Sequence, residues 1–294
     1  GTSGDSSTTG NTLLGYLIND MDTGSHNNTL IGHKVAGGGT HADMRGNTGV
    51  GTLSLYAITS GDNNVAVGKS ALAAITTGYS NVVIGQGAAD VVTTMANTVA
   101  IGKDAMGACP SGQAIDGAVA IGTGALAGSG STTSAIGACV AVGADSLKSL
   151  TSGEGNVAIG YASLDAEVTG DYSTAIGHQA LTAQTGVDGV VANTAVGYNS
   201  SVAITSGIKN TTLGRSSLLT ATTALNNTAL GCNAMSDVKA GVAVDGCVAV
   251  GFEALKGNSS NTTGINYSVA IGSQSLKALT TGANNVAVGY SALL

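Results

Sequence analysis

The sequence is poor in proline, aromatic residues and charge. Its 294 residues include one proline, no tryptophan, one phenylalanine and eight tyrosines, and only 9% are Asp, Glu, Lys or Arg. Ten scattered Lys and Arg against seventeen Asp and Glu give a net charge of −7, which offers no basic stripe for nucleic acid. No apolar run reaches the ~18 residues that a membrane-spanning helix needs. We therefore expect no nucleic-acid partner and no membrane insertion.

Four cysteines in a chain of this length fit neither a small disulfide scaffold nor a zinc module. There is no initiator Met, signal peptide or membrane anchor, so we expect a mature or excised piece of a protein. By contrast, 46 residues are glycine and 43% are apolar. The glycines do not recur every third residue, which excludes collagen, and the apolar content argues against disorder.

One short phrase recurs along the whole chain. It reads Asn-Val-Ala-Val-Gly at 64–68 and 285–289, and Asn-Val-Ala-Ile-Gly at 156–160. The glycine that closes the phrase occurs sixteen times, and nine of the fifteen spacings are 17 residues, the others being 19 to 21. A fixed period of this size indicates a repeat array in which each unit buries its apolar face only by stacking on the next.

Positions are numbered here from the phrase glycine. Position −1 is Leu, Ile or Val in every copy, −3 is Thr or Val in every copy, and −2 is Ala in eleven copies. Alternation of β-branched and small residues predicts a short strand. Position +4 is Leu or Met in twelve copies, and several copies add an aliphatic residue at +7. Because a spacing of three is close to one helical turn, a short helical turn after the glycine is left open.

These columns predict a mainly-β fold, a parallel β-solenoid (β-roll) of 16–17 coils with 17–21 residues each, which occupies residues 1–294 as a single uncapped array. Position −4 is Asn in ten copies, and stacking would turn this column into a ladder of amides that bond from coil to coil. The ladder residues that we single out are Asn64, Asn81, Asn156, Asn193, Asn210, Asn227 and Asn285.

The two strand faces suggest an assembly. We expect positions −3 and −1 to fill the interior of the coil, because they share one side of a strand and carry the larger apolar residues. The other face then carries Asn and Ala without any charge, whereas a solvated strand face normally alternates to charged residues. We therefore predict a homo-oligomer, most simply a trimer with the Ala face near its axis.

The ends suggest a second mode of assembly. The first and last residues run directly into the array without polar caps, which solenoids usually need. If Gly1 followed Leu294, the next phrase glycine would come 20 residues after Gly289, a spacing that the array already uses. Either a segment of a longer fibre or a subunit that stacks end to end agrees with this pattern.

The phrase resembles the head repeats of trimeric autotransporter adhesins of the YadA type, as in 267–272, Tyr-Ser-Val-Ala-Ile-Gly. Its longer form, Gly-Tyr-x-Ala-Leu followed by Thr-Thr-Gly and Asn-Asn-Val-Ala-Val-Gly, is similar to repeats of phage and algal-virus tail fibres. The resemblance covers nearly the whole chain. It implies a trimeric parallel solenoid on a bacterial or viral surface fibre, outside the cell, that serves attachment.

Candidate chemistry is sparse. Asp116, Asp188 and Asp245 each precede a glycine, which would suit a carboxylate row for calcium but equally a turn that leads into the strand. His26, His33 and His41 lie near Asp43 in the first coils, without a spacing that specifies a metal. No nucleophile motif has a matching base, so we expect no catalytic residues, no metal, no cofactor and no enzyme activity.

The cysteines leave two interpretations. Cys139 and Cys247 occupy the Asn column and suit small buried residues. If the protein is extracellular, disulfides Cys109–Cys139 or Cys232–Cys247 between neighbouring coils are the alternative.

Position +1 is the most informative surface column. It carries most of the aromatic residues of an aromatic-poor chain, and exposed rings along a stack of coils could hold a surface glycan or a receptor protein, or simply shield the glycine corner. The binding residues that we predict are Tyr16, Tyr161, Tyr198, Phe252 and Tyr290.

The sequence thus favours a structural and adhesive fibre segment. The alternatives are a self-stacking extracellular filament subunit, an ice-binding solenoid and a tailspike-like polysaccharide depolymerase. Ice binding needs a flat exposed Thr array, and we expect the Thr column to be buried. A depolymerase needs paired carboxylates in a cleft, and carboxylates are few.

Overall fold

The computed structural model describes residues 10–18, 24–38, 43–109, 115–128, 136–185, 188–258 and 262–294. In these residues the predicted parallel β-solenoid is confirmed: all sixteen phrases form a strand, every strand pairing is parallel, and no helix occurs. Contacts divide the chain into two compact units, Gly1–Glu154 and Gly155–Leu294. That the chain forms one array without caps stays a prediction.

The first unit pairs eight short strands in sequence order. Equivalent positions of successive phrases stand opposite each other, for example Val65 opposite Val82. The strands are β1 (Thr12–Tyr16), β2 (Thr29–His33), β3 (Thr48–Val50), β4 (Val65–Val67), β5 (Val82–Ile84), β6 (Val99–Ile101), β7 (Val119–Ile121) and β8 (Val140–Val142).

The second unit repeats the arrangement and adds two short strands, β10 (Gly170–Asp171) and β12 (Gly189–Val190), which pair with each other. The phrase strands pair in chain order. They are β9 (Val157–Ile159), β11 (Thr174–Ile176), β13 (Thr194–Val196), β14 (Thr211–Leu213), β15 (Thr228–Leu230), β16 (Val248–Val250), β17 (Val269–Ile271) and β18 (Val286–Val288).

The predicted orientation of the strand faces is wrong. Positions −4 and −2 point into the coil, so Asn64 and Ala66 are fully buried. Positions −3 and −1 point outward, and the −1 side chains are exposed to 38% at Ile159, 40% at Ile271 and 51% at Leu213. The Ala column therefore lies inside each coil, which removes the predicted arrangement with Ala at an oligomer axis.

The narrow interior of the coil explains this reversal. The wall opposite the strand carries the +4 side chains, such as the fully buried Leu72, and leaves room for little more than Ala at −2. At Gly49 a Cβ atom would already lie 3.1 Å from Leu55 at +4 of the same coil. Since the core is close-packed, a large +4 residue requires a small −2 residue.

No helical turn follows the phrase glycine; the open alternative of a short helix is not realised in the described coils. Instead, tight turns occur, such as the one in which the Ala71 N–H donates to the Gly68 carbonyl at 3.4 Å. Positions +2 and +4 adopt left-handed backbone conformations, with φ of 58° at Ser70 and 52° at Leu72. These residues donate to neighbouring coils on opposite sides, Ser70 to the Thr52 carbonyl and Leu72 to the Ala88 carbonyl.

Candidate binding surface

The interior of the coil contains the asparagine ladder. The Asn64 amide donates to Asn47 Oδ1 at 3.1 Å and to the Gly78 carbonyl at 2.8 Å, while Asn64 Oδ1 accepts from the Asn81 amide at 2.9 Å. The side chain thus satisfies polar groups of three successive coils in a fully buried position. In the second unit, Asn193, Asn210 and Asn227 repeat the same contacts.

Other residues replace asparagine in parts of the column. Thr98 Oγ1 donates to the Ile115 carbonyl at 2.7 Å, and Cys247 Sγ lies 3.1 Å from the Ile265 carbonyl. Asn156 donates to the Gly170 carbonyl at 2.7 Å, and its Oδ1 accepts the backbone N–H of Ser173, the next residue of the column. Asn285, in the last strand, bonds instead to the Gly282 carbonyl in its own coil at 2.8 Å.

Beside Ser173, the core contains a carboxylate. Glu167 occupies the usually aliphatic +7 position, is fully buried, and accepts the backbone N–H groups of 168, 169 and 170 on Oε1. Its Oε2 accepts from the Gln184 amide, and Gln184 Oε1 accepts from Asn193. Sequence reasoning missed this network; two polar residues in consecutive copies of an aliphatic column were the available signal. Because the contacts described here are internal to the core, we assign the network a structural role.

The outward strand face is a regular, uncharged surface. Its two columns consist of Thr or Val at −3 and Ile, Val or Leu at −1, so alternate residues of every strand face the same side. Thr occupies the −3 position on four successive strands of the second unit: Thr174, Thr194, Thr211 and Thr228. A face that is regular, partly exposed and without charge in any of its strands is suited to contact another surface.

The backbone places the +1 column in register. Within each unit the +2 N–H donates to the +1 carbonyl of the preceding coil, as from Asn199 to His178 at 3.0 Å and from Ser216 to Tyr198 at 2.9 Å. Side chains at +1 are consequently neighbours on successive coils, about 4.8 Å apart along the stack.

Three predicted binding residues take part in ring stacks with histidines. Tyr161 and Tyr198 flank His178, with ring centroids 5.1 Å and 5.4 Å from the imidazole and tilts of 34° and 32°. Tyr16 stacks on His33 at 5.7 Å. Because the prediction considered only phenyl and phenol rings, His178 was left out, although it stands in the same column.

The remaining predicted rings stand apart. Phe252 and Tyr290 are exposed to 47% and 79% without a ring contact among the described residues. The column also contains Arg215, which is exposed and whose Nη2 lies 3.3 Å from Cys232 Sγ. The structure thus brings together part of the predicted set, Tyr161 and Tyr198, and adds His178 and Arg215 to it.

An ion-pair cluster lies on the last coils of the second unit. Glu253 Oε2 bonds to Lys277 Nζ at 2.7 Å, and Glu253 Oε1 to Lys256 Nζ at 3.3 Å. These contacts, with Lys277 the largest contribution, lower the pKa of Glu253 to about 2. Both lysines line a pocket of about 400 Å³. Because each lysine is already paired with a carboxylate, the pocket offers little free positive charge to an anion.

The carboxylates before glycine act as turn residues where their contacts are described. Asp116 Oδ1 accepts the Ala96 N–H at 2.9 Å, and Asp245 accepts from the Asn226 amide and the Tyr267 hydroxyl. Among the described residues, no three His, Cys, Asp or Glu side chains are grouped to hold a metal. His41 lies outside the described residues.

None of the four cysteines forms a disulfide, so neither of the two alternative pairings is present. Cys109 is buried, and burial raises the pKa of its thiol to about 12. Cys139 and Cys247 are buried as well, whereas Cys232 is partly exposed.

No family model matches the chain, and no curated protein is significantly similar to it. Among the residues that the structure describes, no helix has the length and apolar character to cross a membrane. The surfaces described above are therefore the basis for the proposed function.

Proposed function

We propose that this chain is a structural and adhesive segment of an extracellular, cell-surface or virion-surface fibre, without catalysis. The observation that carries the proposal is the outward strand face, which repeats Thr or Val and Ile, Val or Leu on strand after strand without a charge. Exposed aliphatic side chains of this regularity are costly in water and gain free energy when they are covered.

A second copy of the same chain is the occupant that we propose for this face. Every copy presents the same columns on the strands of each unit, so the face of one copy matches the equivalent face of another. A closed, symmetric assembly covers such a face around its axis, and a trimer is the arrangement implied by the resemblance to adhesin and tail-fibre repeats. A fibre built in this way attaches through its remaining surface, on which the +1 column lies.

Light scattering on the purified chain tests the assembly. The expected mass is three times 28.2 kDa. A monomer at micromolar concentration would contradict the assembly on which the fibre proposal depends. Electron microscopy distinguishes the fibre segment from the alternative, a self-stacking filament subunit. Discrete particles support the fibre segment, and filaments of indefinite length support end-to-end stacking.

One observation favours a second function, an ice-binding solenoid. The Thr column is outward rather than buried, and Thr174, Thr194, Thr211 and Thr228 form a regular row in which Thr211 is exposed and the other three are half-buried. The expected burial of the Thr column, which spoke against ice binding, is therefore not observed. An ice-recrystallisation assay decides: inhibition that disappears on Thr194→Lys and Thr211→Lys would support this function, and growth of ice crystals at the buffer rate would rule it out.

A further inference from the structure

The +1 column of the second unit differs from that of the first. In the four successive coils whose phrase glycines run from Gly160 to Gly214, this column reads Tyr161, His178, Tyr198 and Arg215. We call these four residues the aromatic strip. Three are rings, with His178 in contact with both tyrosines, and the two tyrosines are exposed to 50% and 51%. Stacking on one another fixes the rings, so their polar edges form a pre-organised row of hydrogen-bonding groups.

The positive end of the strip has no counter-charge. Arg45, the other arginine of the chain, pairs with Asp43 at 2.6 Å, whereas no carboxylate of the described residues lies within ion-pair distance of Arg215. The only polar contact described for the Arg215 guanidinium is Cys232 Sγ. Most of its five N–H groups are therefore available to a carboxylate or sulfate, which guanidinium binds in a bidentate manner.

The immediate surroundings of the strip also lack negative charge. Positions −1 to +2 of the same four coils carry Ile, Val, Leu, Gly, Ala, Gln, Asn and Ser beside the strip residues, and no Asp or Glu. The +1 column of the first unit lacks such a run, since Thr52 follows the stacked Tyr16 and His33, and Lys103 pairs with the adjacent Asp104 at 3.4 Å. In a chain with a net charge of −7, this strip is therefore a local site of positive charge.

We propose that the aromatic strip binds an acidic polysaccharide in which isolated carboxylates are separated by neutral sugars. The proposal rests on the attachment function proposed above and names its ligand class. Arg215 pairs with the carboxylate, while the phenol and imidazole edges bond to sugar hydroxyls. Successive coils are about 4.8 Å apart, close to the length that one pyranose ring adds to an extended chain, so each sugar meets one residue of the strip.

Because Arg215 is the one fixed cation of the aromatic strip, we propose a sparsely charged ligand. Nucleic acids carry a phosphate at every nucleotide, and proteins that bind them neutralise several phosphates with Lys and Arg. A polyanion of that density would be repelled by the remaining net negative charge of this protein. A polysaccharide with isolated carboxylates needs only one cation at each binding position.

Calorimetric titration with gellan oligosaccharides, which carry glucuronates between neutral sugars, tests the proposal on the full chain. Wild type should bind gellan, and Arg215→Gln should weaken binding roughly ten-fold or more, as expected for the loss of a charge-assisted contact. Carboxyl-reduced gellan should bind wild type as weakly as gellan binds the Arg215→Gln variant. Tyr198→Ser should weaken both the charged and the reduced ligand.

Two variants serve as controls. Lys209→Gln removes an exposed cation of the same unit outside the strip, and Tyr79→Ser removes an exposed tyrosine of the first unit; both should bind gellan like wild type. Equal weakening by Lys209→Gln, equal affinity for reduced gellan, or absence of gellan binding would overturn the proposal. Light scattering and circular dichroism on the same samples report assembly and folding independently, so failure of the ligand proposal is distinguishable from failure of the fibre proposal.

Discussion

At the scale of single residues, the buried asparagines hold successive coils together. Each one satisfies carbonyl and N–H groups that the interior of the coil would otherwise leave without partners. The column tolerates Thr98 and Cys247 because a hydroxyl or thiol keeps one contact to the next coil. Replacing one asparagine by Ala or by Thr should therefore destabilise the protein to different extents.

We expect Asn64→Ala to destabilise the protein by roughly 2–3 kcal/mol, because it leaves the Gly78 carbonyl and the Asn81 N–H buried without their partner. Asn64→Thr should cost less, since Thr98 shows that a hydroxyl can reach the carbonyl of the next coil. Chemical denaturation of both variants gives the two free energies of unfolding. Equal costs would show that the amide does not link the coils in the way described.

The ion pairs of Glu253 predict a pH dependence. Its folded-state pKa of about 2 lies below the ordinary value of 4.5, mainly because of Lys277. A lowered carboxyl pKa contributes stability that is present above pH 4.5 and is lost as the pH falls through about 2. We therefore expect the midpoint of thermal unfolding to fall over this range in wild type, and less in Glu253→Gln. Identical pH profiles of the two proteins would contradict the assignment.

At the scale of the element, the buried side chains at −2 of the strand and at +4 of the turn compensate each other in size. The coil of Ala66 has Leu72 at +4, whereas the coil of Leu30 has Ala36 at +4, and all four side chains are fully buried. Val83 and Ala89 repeat the second combination. This exchange of large and small residues within one sequence was the available signal for the inward face. The prediction relied on residue size alone and therefore placed Ile and Val inside.

A double-mutant cycle tests this packing. Ala66→Leu should overpack the coil by about 1–3 kcal/mol, and Leu72→Ala should leave a cavity that costs about 2–5 kcal/mol. The double variant reproduces the Leu30–Ala36 combination and should be more stable than the sum of the two single effects. Strict additivity in denaturation experiments would show that the two positions do not share one space.

The backbone conformation of the turn after the glycine could not be predicted from the residue pattern. Leu at +4 adopts a left-handed conformation in coil after coil, for example at Leu126 with φ 48° and Leu218 with φ 50°. Such a conformation costs a non-glycine residue roughly 1–2 kcal/mol, so propensity does not predict it. Burial of the leucine and hydrogen bonds to neighbouring coils offset this cost, and both are tertiary interactions.

At the scale of the whole molecule, the outward strand face connects the fold with the proposed function. A monomer exposes aliphatic side chains on every strand, and the same face becomes a core when copies associate. A charge on this face therefore affects association much more than folding.

We expect Leu213→Glu to shift the assembly toward the monomer, because three buried carboxylates would face one another without partners. Leu213 is 51% exposed in the single chain, so circular dichroism should stay unchanged. Val190→Glu is the matched control, since Val190 is 55% exposed on a different strand pair. Light scattering measures the masses. If both variants kept the mass of wild type, the assembly would use another surface.

The sequence by itself determined the period, the parallel stacking and the column of asparagines, because a coil of 17 residues with one strand cannot bury an apolar face alone. The tertiary structure decided which strand face is inward, because that depends on the side chain that each coil places opposite the strand. It also decided the left-handed turns and the contact of His178 with Tyr161 and Tyr198. These features depend on neighbouring coils, whose relative placement a single repeat does not contain.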